Sequence, residues 1–101
     1  FMNINFQYQE VAASARLEGL ITERLEKLEN KYDFIVDADV YFKKKNSSNP
    51  EERKICSVRL NTPGPVIFAE STTSTFEASV AKVVTELRTQ LQKRKDKMQS
   101  H

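Results

Sequence analysis

Met2 to Tyr8 alternates. Ile4, Phe6 and Tyr8 are apolar or aromatic, and Asn3, Asn5 and Gln7 between them are polar, the period of a half-buried strand. From Ala15 the period lengthens. Leu17, Leu20, Ile21, Leu25, Leu28 and Tyr32 fall on one stripe at 3.6 residues per turn, with Glu18, Glu23, Glu26, Lys27, Glu29 and Lys31 outside it. Ser14 stands where an N-cap is needed. Alternation returns over residues 35–44, with Ala38, Val40 and Phe42 on one face and Asp37, Asp39, Tyr41 and Lys43 on the other. Residues 45–52 are polar and rich in turn formers, which predicts a loop. Residues 53–61 predict a third strand with Cys56, Val58 and Leu60 inward. Thr62-Pro63-Gly64-Pro65 reads as a tight turn, because proline presets the first central angle and glycine supplies the positive one. The fourth strand, 66–70, has no legible facing: Val66 and Phe68 are as apolar as Ile67 and Ala69. Ser74-Thr75-Phe76-Glu77 has the spacing of a capping box. It opens a long helix with Phe76, Val80, Val83, Val84, Leu87 and Leu91 on one stripe. The stripe fades after Leu91 while helix formers continue, so residues 92–101 are expected to project as a basic helix end and tail.

The order is therefore β-α-β-β-β-α within a single domain spanning 1–101. Two helices with one apolar stripe each and four strands with one apolar face each bury their apolar surfaces together only as two layers. The fold class expected is α+β: a two-layer sandwich of a four-stranded mixed sheet with both helices on one face and the other face open and polar. The first two strands flank a helix and should be parallel through a right-handed crossover; the rest form an antiparallel meander. The expected core contains Leu17, Ile21, Leu28, Val40, Val58, Leu60, Phe76, Val80, Val84 and Leu87.

Composition narrows the chemistry. The only histidine is the last residue, there is one cysteine, Cys56, and there are two glycines. A nucleophile needs a positioned base and a metal needs a ligand set, and neither can be assembled from these. No catalytic residue, metal or cofactor is expected, and the protein is read as a non-enzyme. Asp37 and Asp39 share a strand face, where a solvated outer surface is the ordinary reading. Cys56 lies on an apolar face and reads as a small core hydrophobe. The lone cysteine fits a reducing compartment, and no apolar run is long enough to span a membrane. No signal peptide is read at the opening, and Phe1 is read as an added residue before a natural start at Met2.

Charge is unevenly placed. Residues 1–41 hold four basic and eight acidic side chains, net −4. Residues 42–81 hold six and four, net +2, and residues 82–101 hold six and two, net +4. Three groups stand out. Lys43, Lys44 and Lys45 end one strand, and Arg53 and Lys54 begin its hairpin partner. Lys93, Arg94, Lys95 and Lys97 crowd the last helix. Arg24 lies within the apolar stripe of the first helix, where it either snorkels over the core edge or faces a ligand. A solvated surface explains any one cluster, whereas together they raise the expectation of an anionic partner.

Several stretches, in this order and spacing, resemble the ribosome hibernation promoting factor family, also called ribosome-associated translation inhibitor or sigma factor modulation proteins. They are Arg24-Leu-Glu-Lys27-Leu28 with Tyr32-Asp33; Asp37-Ala-Asp39-Val40-Tyr-Phe42; Val58-Arg-Leu60-Asn-Thr-Pro63-Gly64 with Phe68-Ala69; and Phe76-Glu77, Val80 and Leu87-Arg88-x-Gln90-Leu91-x-Lys93-Arg94-Lys95. The resemblance spans nearly the whole chain and is to the short form of the family. It implies a cytoplasmic, bacterial protein, monomeric off the ribosome. Such a protein binds the small ribosomal subunit and its 16S rRNA in the channel of tRNA and mRNA and inhibits translation under stress or in stationary phase. The rRNA-binding residues it implies are Arg24, Lys27, Lys31, Arg88, Lys93, Arg94, Lys95 and Lys97. Lys43, Lys44, Lys45, Arg53 and Lys54 are a possible secondary RNA contact. Ser74, Ala81 and Thr85 stand where the family usually carries acids, which makes the second helix more basic here. Two alternatives remain open at this level. One is a general double-stranded RNA-binding module, whose sheet-and-helices layout is similar but which usually carries lysines where this chain has Ser74 to Glu77. The other is a protein-interaction domain using the open sheet face.

Overall fold

In the computed structural model, residues 2–99 are described; the reading of Phe1 as an added residue and the last two residues of the expected tail lie outside them. The elements are β1 (Asn3–Gln9), α1 (Ala15–Lys31), β2 (Asp37–Lys44), a short 3-10 turn (Pro50–Glu52), β3 (Lys54–Asn61), β4 (Ile67–Thr73) and α2 (Phe76–Gln99). The expected order, β-α-β-β-β-α, is the observed one. The sheet runs β1-β2-β3-β4, with β1 and β2 parallel and β2, β3 and β4 antiparallel in turn. Since β4 thus points the same way as β1 and β2, the helices that leave β1 and β4 both run back in one direction. They lie side by side and parallel. The Arg16–Glu77 ion pair, 2.7 Å, joins their beginnings, and the Tyr32 hydroxyl donates to Gln92 Oε1 at 2.7 Å near their ends.

Local chemistry explains the boundaries. Ser14 caps α1, its hydroxyl accepting from the Leu17 N–H at 3.2 Å, and Tyr8 fastens β1 to α1 by donating to Glu18 Oε2 at 2.5 Å. Gly64 takes the expected positive φ, 90°, in the β3–β4 turn. The start of α2 differs from expectation. Thr75, not Ser74, accepts from the Ala78 N–H at 3.1 Å, and the Glu77 carboxylate turns to its own backbone N–H and to Arg16, which together hold it below the usual carboxylate range. The reason lies one residue earlier. The buried Ser79 hydroxyl donates to the Lys54 carbonyl and accepts from the hydroxyl of buried Thr73 at 2.8 Å, and the Thr73 hydroxyl in turn accepts from the Thr75 N–H at 3.2 Å. That network fixes the chain at Thr73 and places Thr75 at the cap.

The core lies between the sheet and both helices. Ile21, Leu25, Ala38, Phe42, Cys56, Val58, Leu60, Val80, Val83, Leu87 and Leu91 are fully enclosed, while Phe76 packs against them half-buried. Packing resolves the facing of β4: Ile67 and Ala69 are 2% and 1% exposed beneath α2, and Val66 and Phe68 are 44% and 51% exposed. The opposite sheet face is open. Asp39 accepts from Asn5 there and Asp37 from Asn61, so the two carboxylates belong to a polar outer surface.

Candidate nucleic-acid interface

Arg24, Lys27 and Lys31 recur at intervals of three and four residues, which puts them along one flank of α1. Arg88 lies on the facing flank of α2, and Lys93, about 140° further round the helix, reaches the outer lip of the lower groove. Because the helices are parallel, the two flanks meet along a groove rather than at a single crossing. The upper part of the groove, about 360 Å³, is lined by Leu20, Glu23, Arg24, Lys27, Val84 and Arg88. The lower part, about 370 Å³, is lined by Lys31, Tyr32, Arg88, Thr89, Gln92 and Lys93. The floor is partly apolar and the rims are cationic. Glu23 is the one carboxylate in either lining. It lies 3.5 Å from the Lys27 ammonium, and at such exposure the pair neutralises little.

The groove therefore gathers Arg24, Lys27, Lys31, Arg88 and Lys93. Arg24, which the sequence places within the stripe either snorkelling or facing a ligand, is exposed and lines the groove, while Ile21, Leu25 and Leu28 hold the inward positions. Thr89 and Gln92 also line the groove and escaped the sequence reading. Their signal is their spacing from Arg88, one and four residues on.

The end of α2 departs further from expectation. Residues 92–95 do not project. Leu91 is fully buried, Gln92 accepts from Tyr32, and the Lys95 ammonium sits 5.8 Å from the Tyr32 ring, which Lys31 also approaches at 5.5 Å. Arg94 reaches across to the β3–β4 turn. Its Nη1 donates to Thr62 Oγ1 at 2.8 Å and to the Pro63 carbonyl at 3.0 Å, and its Nη2 to the Pro65 carbonyl at 2.7 Å. One turn earlier, Gln90 donates to the Phe68 carbonyl at 2.8 Å. Arg94 is thus engaged in holding the fold, while Lys93 and Lys97 line a smaller hollow beside it with Ile67 and Gln90. α1 ends here, so Lys31 offsets the partial negative charge of its C-terminus, and Lys97 does the same in the last turn of α2.

The remaining basic residues lie elsewhere. Register sets Lys44 opposite Lys54, and the Lys45 N–H donates to the Arg53 carbonyl at 2.8 Å; Lys43 precedes them. This cluster sits at the other end of the molecule, near the start of α2, where the Lys54 ammonium lies 5.4 Å from the Phe76 ring. Cys56 is buried, and burial pushes its thiol up to about 12, a value at which it is not a nucleophile. Among the described residues no group of histidine, cysteine and carboxylate side chains is placed to hold a metal ion, and no helix is long and apolar enough to cross a membrane.

The cationic groove and this fold can be set beside known proteins. Residues 4–99 match the family described as Sigma 54 modulation protein / S30EA ribosomal protein. A ribosomal subunit interface protein from Coxiella burnetii superposes with a TM-score of 0.80 at 26% identity, over 94% of this chain and 99% of that one. The N-terminal domain of Thermus thermophilus Protein Y superposes with a TM-score of 0.76 over 91% and 98%; at 17% identity it speaks for the fold alone. No curated protein matches significantly.

Proposed function

The chain belongs to the Sigma 54 modulation protein / S30EA ribosomal protein family, and from that premise we propose that it binds the small ribosomal subunit through the groove between α1 and α2. The bound protein occupies the channel of tRNA and mRNA and inhibits translation, as a cytoplasmic hibernation factor does. The observation that carries this reading is the convergence of Arg24, Lys27, Lys31, Arg88 and Lys93 on one groove with a single carboxylate in its lining. Rigid helices hold these cations at fixed spacing, suited to phosphates lining a cleft in folded RNA. Phosphate contacts supply affinity without reading sequence, and shape supplies selectivity. The similarity to a protein named for the ribosomal subunit interface supports the same partner. The role is one of binding and occlusion, not turnover.

The test is co-sedimentation with purified small subunits across a salt series, beside a short RNA duplex. With four to five phosphates neutralised at the groove, its share of the log–log slope is expected near −4, or about two orders of magnitude in affinity between 50 and 200 mM salt. The triple variant Arg24→Gln/Lys27→Gln/Arg88→Gln should keep its unfolding midpoint, bind subunits much more weakly with the salt slope reduced by roughly two to three, and inhibit translation less in vitro. Equal affinity for subunits and duplex would favour a general RNA-binding module instead. Undiminished binding by the folded variant would remove the groove from the reading.

A further inference from the structure

We propose that the tip of the β2–β3 hairpin is a second phosphate-binding surface, separate from the groove, so that the protein bridges two segments of RNA backbone. The inference rests on the ribosomal reading above for the identity of the RNA, but not for the chemistry.

Lys44 and Lys54 are direct cross-strand partners, and the Lys45–Arg53 hydrogen bond brings a second pair of cations face to face immediately beyond them. Side chains opposite one another on antiparallel strands stand about 5 Å apart at Cβ, and like charges so placed destabilise the pairing. Among the described residues none of Lys43, Lys44, Lys45, Arg53 or Lys54 takes part in an ion pair, and only Lys54 has a ring partner, Phe76 at 5.4 Å. The carboxylates at this end are Glu10, next to Gln9, the register partner of Lys43, and Glu51, Glu52 and Glu77, and none forms an ion pair with the five cations. Glu77 holds Arg16, Glu52 accepts from the Ser47 hydroxyl at 3.3 Å, and Glu51 is exposed in the 3-10 turn with only its backbone N–H bonded, to Asn49. The Arg53 Nε donates to the Ser47 carbonyl at 3.0 Å, which orients the guanidinium and leaves its two terminal nitrogens available. Five cations against Glu51 and Glu52 leave the hairpin tip net positive, and an anion bound there would reduce the repulsion between the paired cations.

The surroundings choose the anion. The exposed large apolar side chains are Val36, Val66, Phe68 and Met98, and none lies at the hairpin tip. A protein partner would seek an apolar or aromatic anchor, and a membrane surface an apolar face to bury. Phe76 beside Lys54 is half-buried and packed on the core, so the cations stand without an exposed apolar anchor and fit a phosphate backbone. From Phe76, beside Lys54, the groove residues Arg88 and Lys93 lie 12 and 17 residues along α2, roughly 18–26 Å at 1.5 Å per residue. That exceeds the Debye length of about 8 Å at physiological salt, so the two surfaces act as independent contacts with different phosphates.

Independence makes the test separable. The hairpin variant Lys44→Gln/Lys45→Gln/Arg53→Gln and the groove variant above are compared with the parent and with their combination, for small-subunit and short-duplex binding against salt and for unfolding midpoint. The hairpin variant is expected to unfold near the parental midpoint, because relief of like-charge contacts offsets the lost Arg53–Ser47 hydrogen bond. It should nevertheless bind about ten- to a hundredfold more weakly, with the salt slope reduced by roughly two to three, and its effect should add to that of the groove variant. A folded variant with an unchanged slope would overturn the inference, leaving the groove reading intact. If the parent fails to bind subunits, the ribosomal reading falls, and the duplex arm decides the inference: a reduced slope sustains it and an unchanged slope overturns it.

Discussion

Replacing Arg94 with glutamine removes three hydrogen bonds to the β3–β4 turn, at 2.8, 3.0 and 2.7 Å. Two of the acceptors are carbonyls of the proline-flanked turn. Glutamine is too short to span the same gap with a forked donor. Net contributions of about 0.5–1.5 kcal/mol per hydrogen bond, taken at the lower end because water competes at this partly exposed site, give a loss of about 2 kcal/mol. For a domain of this size that is about 8–16 °C in unfolding midpoint. The neighbouring replacement, Lys93→Gln, removes an exposed cation with no such role and should leave stability within about 0.5 kcal/mol. Binding to small subunits should show the reverse. Lys93→Gln should reduce the log–log salt slope by about one, the loss of one phosphate contact, while Arg94→Gln should leave that slope unchanged at temperatures where it is folded. Calorimetry and salt-series sedimentation on the two variants decide the matter. An Arg94→Gln protein with the parental midpoint and a reduced salt slope would show that the guanidinium leaves the turn for RNA, and would refute the reasoning.

Three further outcomes follow from the packing. Thr75→Ala should cost about 0.5–2 kcal/mol by urea unfolding and Ser74→Ala close to nothing, because the hydroxyl of Thr75 caps α2. Leu28→Ala should cost about 2–5 kcal/mol, since Leu28 is buried where α1 meets the sheet; a loss under about 1 kcal/mol would mean the site is solvated. Burial pushes the Cys56 thiol up to about 12, whereas an unfolded thiol titrates near 8.5. The folded state thus keeps a proton that the unfolded state releases. Stability is unaffected below about pH 8.5 and falls as pH rises from there toward 12, by at most about 1.4 kcal/mol per pH unit. Tyr8 is raised as well, by burial and then by its hydrogen bond to Glu18, so the informative comparison is between parent and Cys56→Ala. Identical alkaline slopes would place the thiol in contact with water.

Much of the fold is legible in the chain because the information is local. Alternation in Ile4-Asn5-Phe6-Gln7-Tyr8 and the 3.6-residue spacing of Leu17, Ile21, Leu25 and Leu28 are properties of neighbours, and each predicts an element that the structure contains. Ser14 at the cap and Gly64 at positive φ are equally local, set by one side chain or by the lack of one. From six such elements with one apolar face each, the two-layer arrangement and the order of the chain follow. The basic flank of α1 is legible for the same reason: Arg24, Lys27 and Lys31 share a flank by spacing alone.

What the sequence left undecided depends on groups far apart along the chain. The facing of β4 is fixed by α2 lying over Ile67 and Ala69, not by its own pattern, in which every candidate is apolar. Ser74 and Thr75 are both good cap residues, and the buried pair Thr73–Ser79 selects between them. Arg94 and Lys93 are adjacent and chemically alike, yet a turn some thirty residues earlier in the chain captures the first and leaves the second at the groove. The groove itself is a tertiary product. Arg24 and Arg88 share one depression only because the direction of β4 makes α1 and α2 parallel. Periodicity states which face of an element avoids water; which neighbour covers that face, and which charges then meet across it, is decided by strand direction and register.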